Sequence, residues 1–398
     1  MMYEVPEGWT TCTLGDIAYN VKAKWLPQSL ERYRYVGLEH IGQGTGKLVG
    51  VGNSLRVTST KTQFSATDVL FGKLRPNLRK TAFPKFEGVC STDILAIRPK
   101  KAIDGEYLHY LLAADTTITH AVDTAAGTKM PRTSWKLLAD LAVGCPPLLE
   151  QKKIAEVLTS VDETIAATKA VIEQSKQIKK GLLQTLLTKG IGHTQFKPSP
   201  LGDIPESWEV VELESIASVE RGKFSIRPRN DPRYFGGDIP FVQTGDIVAA
   251  NGFLRRHKQT LNTEGLKVSK QFPIDSILIT IAANIGDTAI TTYPICCPDS
   301  VVAVQPKVGF NVCWLQHVLS SKKTHLESVA TQNAQKNINL THLKPLLIAV
   351  PPQDEREQIA MSLNSLRNSI EANKEKLVQL QTLKSGLMSD LLTGRVRV

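Results

Sequence analysis

Pro146-Pro147-Leu148-Leu149-Glu150-Gln151-Lys152-Lys153-Ile154-Ala155 recurs 205 residues later as Pro351-Pro352-Gln353-Asp354-Glu355-Arg356-Glu357-Gln358-Ile359-Ala360. At that offset residues 146–191 align with 351–396 without a gap, and 17 of the 46 pairs are identical. Background composition would give about three or four. The pairs include Glu150/Glu355, Leu158/Leu363, Ile165/Ile370, Lys179/Lys384 and Gly181/Gly386, and the run closes with Leu186-Leu187-Thr188 matching Leu391-Leu392-Thr393. An internal repeat of this specificity decides the architecture before any local element is considered.

Outward from the repeat, both copies read as helices. Apolar residues fall at Ile154, Leu158, Val161, Ile165, Ile172, Ile178, Leu182 and Leu186, and again at Ile359, Leu363, Leu366, Ile370, Leu377, Leu380, Leu383, Leu387 and Leu391. This 4-3 spacing is a coiled-coil seam rather than a strand pattern. The Pro-Pro pairs mark the entry, and Glu150, Asp354 and Glu355 sit in the first turn, where the helix dipole favours acid. Thr168 and Asn373 take equivalent seam positions, either as register-setting polar residues or as tolerated ones. Each helix is predicted to run about 38 residues, roughly 57 Å. A narrow apolar stripe has to be buried, and the other copy is the nearest partner. Connectivity and a pseudo-two-fold then require an antiparallel pair, with the C-terminus close to the N-terminus.

A weaker repeat opens each half. Pro6-Glu7-Gly8-Trp9 and Leu14-Gly15-Asp16-Ile17-Ala18 match Pro205-Glu206-Ser207-Trp208 and Leu213-Glu214-Ser215-Ile216-Ala217 at an offset of 199. The ends of each half agree while the middles diverge, so one frame carries two different inserts. Strand-like runs at Tyr33–Leu38, Val69–Leu74 and Asp93–Arg98 precede a helical Tyr107–Ala113 in the first insert. Runs at Ile239–Gln243, Ile277–Ile281 and Val301–Gln305 precede a helical Cys313–Ser320 in the second. The expected fold class is α/β, mixed α+β: two globular readers joined by two long helices. The expected divisions are 1–145, first reader; 146–192, central helical spacer; 193–350, second reader; and 351–398, C-terminal helical spacer.

The 398 residues carry a net charge of +10, which favours a polyanionic partner. The charge divides as +5 over 1–146, +2 over 147–192, +2 over 193–350 and +1 over 351–398. Clusters matter more than totals. Lys73, Arg75, Asn77, Arg79, Lys80 and Lys85 sit together in the first reader. Arg221, Lys223, Arg227, Arg229 and Arg233 cluster in the second, and Arg255, Arg256, His257 and Lys258 form a further run. Lys129 and Arg132 correspond at the 205 offset to Ala334 and Asn337, within an amide-rich loop that includes Gln335 and Lys336. Such loops can neutralise phosphates and pair with base edges.

Catalytic motifs are missing. Gly42-Gln43-Gly44-Thr45-Gly46-Lys47-Leu48 is one residue short of a phosphate-binding loop and has Leu48 where a magnesium-holding hydroxyl belongs. Pro298-Asp299 leads to Gln305-Pro306-Lys307, without the second carboxylate a nuclease metal clamp needs. Cys145-Pro146-Pro147-Leu148 lacks the Asn or Asp that opens an amino-methyltransferase motif. The six cysteines form no C-x-x-C pair and read as reduced thiols, and the eight histidines show no metal spacing. No apolar run approaches a membrane span and no signal peptide opens the chain, so a cytoplasmic location is expected. Two rival classes remain beside a DNA reader: a stand-alone DNA methyltransferase or nuclease, and a coiled-coil scaffold without a DNA role. The missing motifs argue against the first. The basic clusters and divergent inserts argue against the second.

Taken together, Pro6–Trp9 with Pro205–Trp208, Asp68-Val69-Leu70-Phe71-Gly72-Lys73-Leu74-Arg75-Pro76, Cys90-Ser91-Thr92-Asp93, Gly127–Pro131 and Pro146–Gln151 running into Ile154-Ala155 resemble the specificity subunits of type I restriction–modification enzymes. The resemblance spans the whole chain, with Arg356 a mild departure from Gln151. It implies two target-recognition domains, each reading half of a bipartite, asymmetric site in double-stranded DNA. It also implies spacers that set the gap, two bound methyltransferase subunits and optional motor–nuclease subunits. S-adenosylmethionine would be held by the methyltransferase subunits, with no cofactor, metal or catalytic residue in this chain.

Overall fold

The computed structural model describes residues 5–27, 32–224, 231–282, 284–331 and 337–398. They form two compact units, one from the N-terminus to Ala170 together with Glu375–Val398, the other Val171–Lys374. The division falls inside the long helices, so each unit takes part of both.

In the first unit, Thr10–Thr13 pairs antiparallel with Ala142–Cys145, so the first and last strands of the reader close it beside the helix entry. Between them lie two sheets. One is antiparallel, in the order Ala18–Asn20, Ile94–Pro99, Val69–Gly72, Thr81–Ala82. The other is mixed, in the order Lys24–Trp25, Lys61–Phe64, Gly88–Cys90, Arg34–Val36, Gly52–Asn53. Fully buried Val69, Leu70 and Phe71 explain why the central strand reads as a continuous apolar run rather than an alternating one. The helix Gly105–Ala113, capped by the Asp104 side chain on the Tyr107 amide, packs Tyr107, Leu108, Leu111 and Leu112 into the core.

The second unit repeats the plan. Glu209–Glu212 pairs with Leu347–Val350 as the closing ribbon. A five-stranded sheet runs Ala217–Arg221, Val301–Pro306, Ile277–Thr280, Thr288–Thr291, Gly252–Leu254. A four-stranded sheet runs Gln259–Leu261, Phe235–Phe241, Ile295–Cys296, Gln271–Phe272. The helix Val312–Ser321, capped by Asn311, occupies the place of Gly105–Ala113.

The long helices are Leu148–Thr188 and Gln353–Thr393, 41 residues each, or about 60 Å. Both stop at a glycine in the left-handed region, Gly190 (φ 65°) and Gly394 (φ 75°), the C-terminal arrangement that side chains with a Cβ resist. In the first unit Ile154, Ala155 and Leu158 share a core with Leu391 and Leu392. In the second, Leu186 shares one with Ile359, Ala360 and Leu363. Within each unit the beginning of one helix lies with the end of the other, so the pair is antiparallel. Ile165, Ile172 and Ile370 are buried, while Val161, Leu366 and Leu377 are half-buried.

The seam departs from the apolar reading at several points. Ile178 and Leu383 are exposed (53% and 51%). The neighbouring Lys384 turns inward instead, 2.7 Å from Asp162, whose carboxylate also accepts from the Tyr110 hydroxyl at 3.0 Å. Thr168 and Asn373 hydrogen-bond to carbonyls of their own helix, at Thr164 and Ser369, so their side chains do not fix register across the pair. In the first unit the polar seam layer is Asp162–Lys384.

The closing ends also meet. Arg397 binds Glu150 at 2.5 and 2.8 Å and donates to the Glu7 carbonyl at 2.6 Å. The C-terminus therefore lies beside the N-terminus, as the pseudo-two-fold requires.

Candidate nucleic-acid interface

In the first reader, the strand Val69–Gly72 runs into Lys73 and then a tight turn. Arg75 (φ 51°) and Arg79 (φ 52°) both take left-handed conformations around a short 3-10 turn, Pro76–Leu78. Such geometry costs a non-glycine residue on the order of 1 kcal/mol or more. A second loop holds it. Leu74 bridges Arg132, the Arg75 amide donates to the Pro131 carbonyl at 2.8 Å, and the Thr133 amide donates to the Lys73 carbonyl at 3.0 Å. The Arg75 guanidinium reaches the Lys129 carbonyl at 3.4 Å. Asp93 lies beneath both loops, accepting from the Lys73 amide at 2.9 Å and from Arg132 Nε at 3.2 Å. Two stretches separated by some fifty residues in sequence thus form one surface, with Arg75, Asn77, Lys129 and Arg132 exposed and Lys73 half-buried.

Other cations of the same cluster are paired within the reader, Arg79 and Lys80 half-buried and Lys85 exposed. Arg79 pairs with Asp115 and donates to the Ala113 carbonyl at 3.3 Å. Lys80 donates to the Leu38 carbonyl at 2.5 Å, and Lys85 pairs with Glu106 at 2.6 Å. Asp68, the acidic neighbour of the cluster in sequence, is fully buried and held by Arg98 at 2.6 and 2.9 Å.

The second reader builds the same loop pair from different residues. Ala282 bridges Asn337, the 205-offset counterpart of Arg132, and the Ile338 amide donates to the Ile281 carbonyl at 3.0 Å. The turn after Ile277–Thr280, equivalent to the one carrying Arg75 and Asn77, exposes Asn284 and has no cation from Ile281 to Gly286 among the described residues. Sequence reading missed this turn by following charge. Its signal was position, directly after the strand that matches Val69–Gly72. Arg221 joins the loop pair through the Asp299–Ser300 segment: its Nε donates to the Asp299 carbonyl, and the Ile281 amide donates to the Ser300 carbonyl. Lys223 is exposed beside it. Arg233 is drawn back onto Asp231 by a bidentate bond at 2.6 and 3.0 Å. Arg227, Arg229, Gln335 and Lys336 lie outside the described residues.

Arg255, Arg256 and Lys258 are exposed but leave from Gly252–Leu254, the edge strand opposite the one that ends in Arg221. Four strand spacings, about 19 Å, separate those edges. Arg221 and Arg255–Lys258 therefore stand at opposite edges of this sheet.

The near-phosphate loop Gly42–Leu48 closes on itself through the Gly42 amide and Lys47 carbonyl, and Lys47 Nζ donates to the Asp162 carbonyl at 3.3 Å. It borders a cavity of about 770 Å³ that reaches His109, Tyr110 and Lys384. Among the described residues no group of His, Cys, Asp and Glu is placed to hold a metal, and no helix is long and apolar enough to cross a membrane. The six cysteines are unpaired; burial pushes the Cys90 thiol up to about 12, which suppresses its thiolate at neutral pH.

Two mixed α/β readers, each with its share of the long helices and each presenting a loop pair of different composition, define a recognition protein built as an internal repeat. The family model described as the type I restriction modification DNA specificity domain matches residues 6–177 and again 205–382, and the chain belongs to that family. It is similar to the type I restriction enzyme MjaVIII specificity subunit of Methanocaldococcus jannaschii, 26% identical over 99% of this chain and 94% of the relative. A putative MjaX specificity subunit of the same organism is 28% identical over 99% and 95%. Among solved structures, the HsdS subunit from Thermoanaerobacter tengcongensis superposes with a TM-score of 0.53 at 20% identity, covering 99% of both chains. The S subunit from M. genitalium gives 0.62 at 14% identity, covering 98% and 96%. These likenesses establish the fold.

Proposed function

We propose that the chain is the DNA-reading subunit of a type I restriction–modification complex and has no catalytic site of its own. Each reader takes one half of a bipartite, asymmetric site in double-stranded DNA. The observation that carries this is the pair of equivalent bridges, Leu74 to Arg132 and Ala282 to Asn337. The same frame holds two loops together in both readers, yet carries Arg75, Asn77, Lys129 and Arg132 in one and Asn284 and Asn337, with Arg221 joined to them, in the other. Amides pair well with adenine edges and arginine with guanine, so unlike loops select unlike half-sites.

The long helices act as spacer and docking frame. Their repeated sequence offers two matching places for two methyltransferase subunits, which hold S-adenosylmethionine, and optional motor–nuclease subunits join the same assembly. Readers on one face of DNA want centres about one helical turn, ~34–36 Å, apart. Such a complex works in the cytoplasm.

Single-molecule methylation sequencing of the host genome, with and without this gene, tests the reading. The expected result is one bipartite motif with two dissimilar halves and a fixed gap, methylated only when the gene is present. A palindromic motif, or methylation that persists without the gene, contradicts it.

A further inference from the structure

The helix repeat superposes two seam clusters that differ in charge. In the first unit Asp162 and Lys384 form an ion pair, with Tyr110 and Thr159 hydrogen-bonded beside it. At the 205 offset Asp162 becomes Arg367, Thr159 becomes Asn364, and Lys179 stands for Lys384. The anion of the first cluster is thus a cation in the second, and the seam of the second unit faces lysine with arginine.

The surroundings offset these charges only in part, through the Glu371 carboxylate that acts on both Lys179 and Arg367. Arg367 is 3% exposed, and its Nε is buried without a hydrogen-bond partner. Its other nitrogens bind neutral amides, Gln316 at 3.2 Å and Asn364, and its guanidinium lies 4.3 Å over the Phe253 ring, with the Cys313 thiol nearby. Among the described residues neither Lys179 nor Arg367 forms an ion pair. Nearby carboxylates are engaged elsewhere: Asp287 by Lys323 at 2.6 Å, and Glu371 by Lys374 at 2.7 Å and by Asn251. Arg255 adds a third positive charge close to Arg367. Lys179 and Arg367 border a cavity of about 180 Å³ whose wall also carries Asn251, Thr288 and Ser320, groups able to donate hydrogen bonds, and Asp287, whose carboxylate is paired with Lys323. Burying like charges together is costly unless an anion is supplied.

We propose that this cavity binds a small tetrahedral oxyanion, of the inorganic phosphate or sulfate class, between Lys179 and Arg367. The ion takes the place that the Asp162 carboxylate fills in the first unit. A DNA backbone phosphate shares the chemistry, but the cavity is narrow and Arg367 is recessed, which favours the free ion over a sugar–phosphate chain.

Inorganic phosphate is titrated calorimetrically into the full chain at fixed ionic strength, with and without excess non-specific duplex DNA. One saturable site is expected, unaffected by the DNA, and weakened roughly tenfold or more in both Arg367→Asp and Lys179→Gln, as for loss of a charge-assisted contact. Arg367→Asp copies the first unit's pattern. Lys179 is less buried, so Lys179→Gln decides the matter should the other variant misfold. No saturable site in the unaltered chain, undiminished binding in Lys179→Gln, or displacement of phosphate by DNA overturns the proposal.

Discussion

Trp208 Nε1 donates a hydrogen bond to the Glu355 carboxylate at 3.0 Å, and Trp9 Nε1 makes the same bond to Glu150 at 3.1 Å. Each glutamate opens a long helix, and each tryptophan opens the reader in the same unit. The chain that follows the other helix closes on the same carboxylate: His193 at 3.0 Å and the Ile191 amide at 2.8 Å on Glu355, Arg397 on Glu150. One acidic side chain thus ties reader, helix start and helix end together in each unit.

Breaking that tie lowers stability in a coupled way. A double-mutant cycle of Trp208→Phe and Glu355→Gln, read by urea unfolding, is expected to show a coupling of about 1–2 kcal/mol, since both changes remove the same partly buried bond. Additive effects would mean that the bond contributes nothing. At the other end, Arg397 holds the Glu150 carboxyl below its ordinary range. The stability this supplies is present above the unfolded-state value and lost as pH falls through the lowered one. Arg397→Ala should flatten that acid-side loss in a pH series of unfolding curves.

The seam pair Asp162–Lys384 is largely buried, with side chains 12% and 19% exposed. Asp162→Ala leaves an ammonium without its partner and is expected to cost about 3–5 kcal/mol, whereas the double change Asp162→Leu with Lys384→Leu recovers most of it. Chemical denaturation of the two variants beside the unaltered chain checks the order.

His109 lies in the same cluster, and burial, assisted by Lys384, lowers its pKa to about 4. The folded value is below the unfolded value near 6.5. Its contribution is therefore whole above about pH 6.5 and is lost as pH falls toward 4, by on the order of 2–3 kcal/mol. The second unit carries Gln316 at the equivalent place. His109→Gln should remove that part of the acid sensitivity, measured as unfolding free energy from pH 4 to 7; an unchanged slope would count against it.

How much of this could be read from the chain varies with the distance over which residues meet. The helices, their antiparallel sense and the returning C-terminus follow from a repeat aligned without gaps. The tryptophan–glutamate ties do not, because Trp9/Trp208 and Glu150/Glu355 repeat at different offsets, 199 and 205, and meet only in the fold. Arg79, Lys80 and Lys85 read as free charge because their partners Asp115, Leu38 and Glu106 lie 21 to 42 positions away. The Asp162–Lys384 pair is not legible for a similar reason: a heptad pattern marks where apolar residues fall and says little about a buried ion pair between them.

Within the proposed interface, the exposed and the committed cations separate by experiment. Arg75→Ala is expected to weaken specific binding by about 1–3 kcal/mol and relax preference in one half-site, while Lys129→Ala weakens all sequences alike and lowers the salt slope by about one. Arg79→Ala should instead reduce stability, because its guanidinium holds Asp115 and the Ala113 carbonyl. Competition binding at several salt concentrations, paired with unfolding curves, distinguishes these outcomes.

We propose that two like helices set the gap between two unlike half-sites. The most direct test inserts one heptad into both Leu148–Thr188 and Gln353–Thr393 and maps methylated sites with the partner subunits present. A changed gap between two unchanged half-site sequences is expected. An unchanged gap, or altered half-sites, would contradict it.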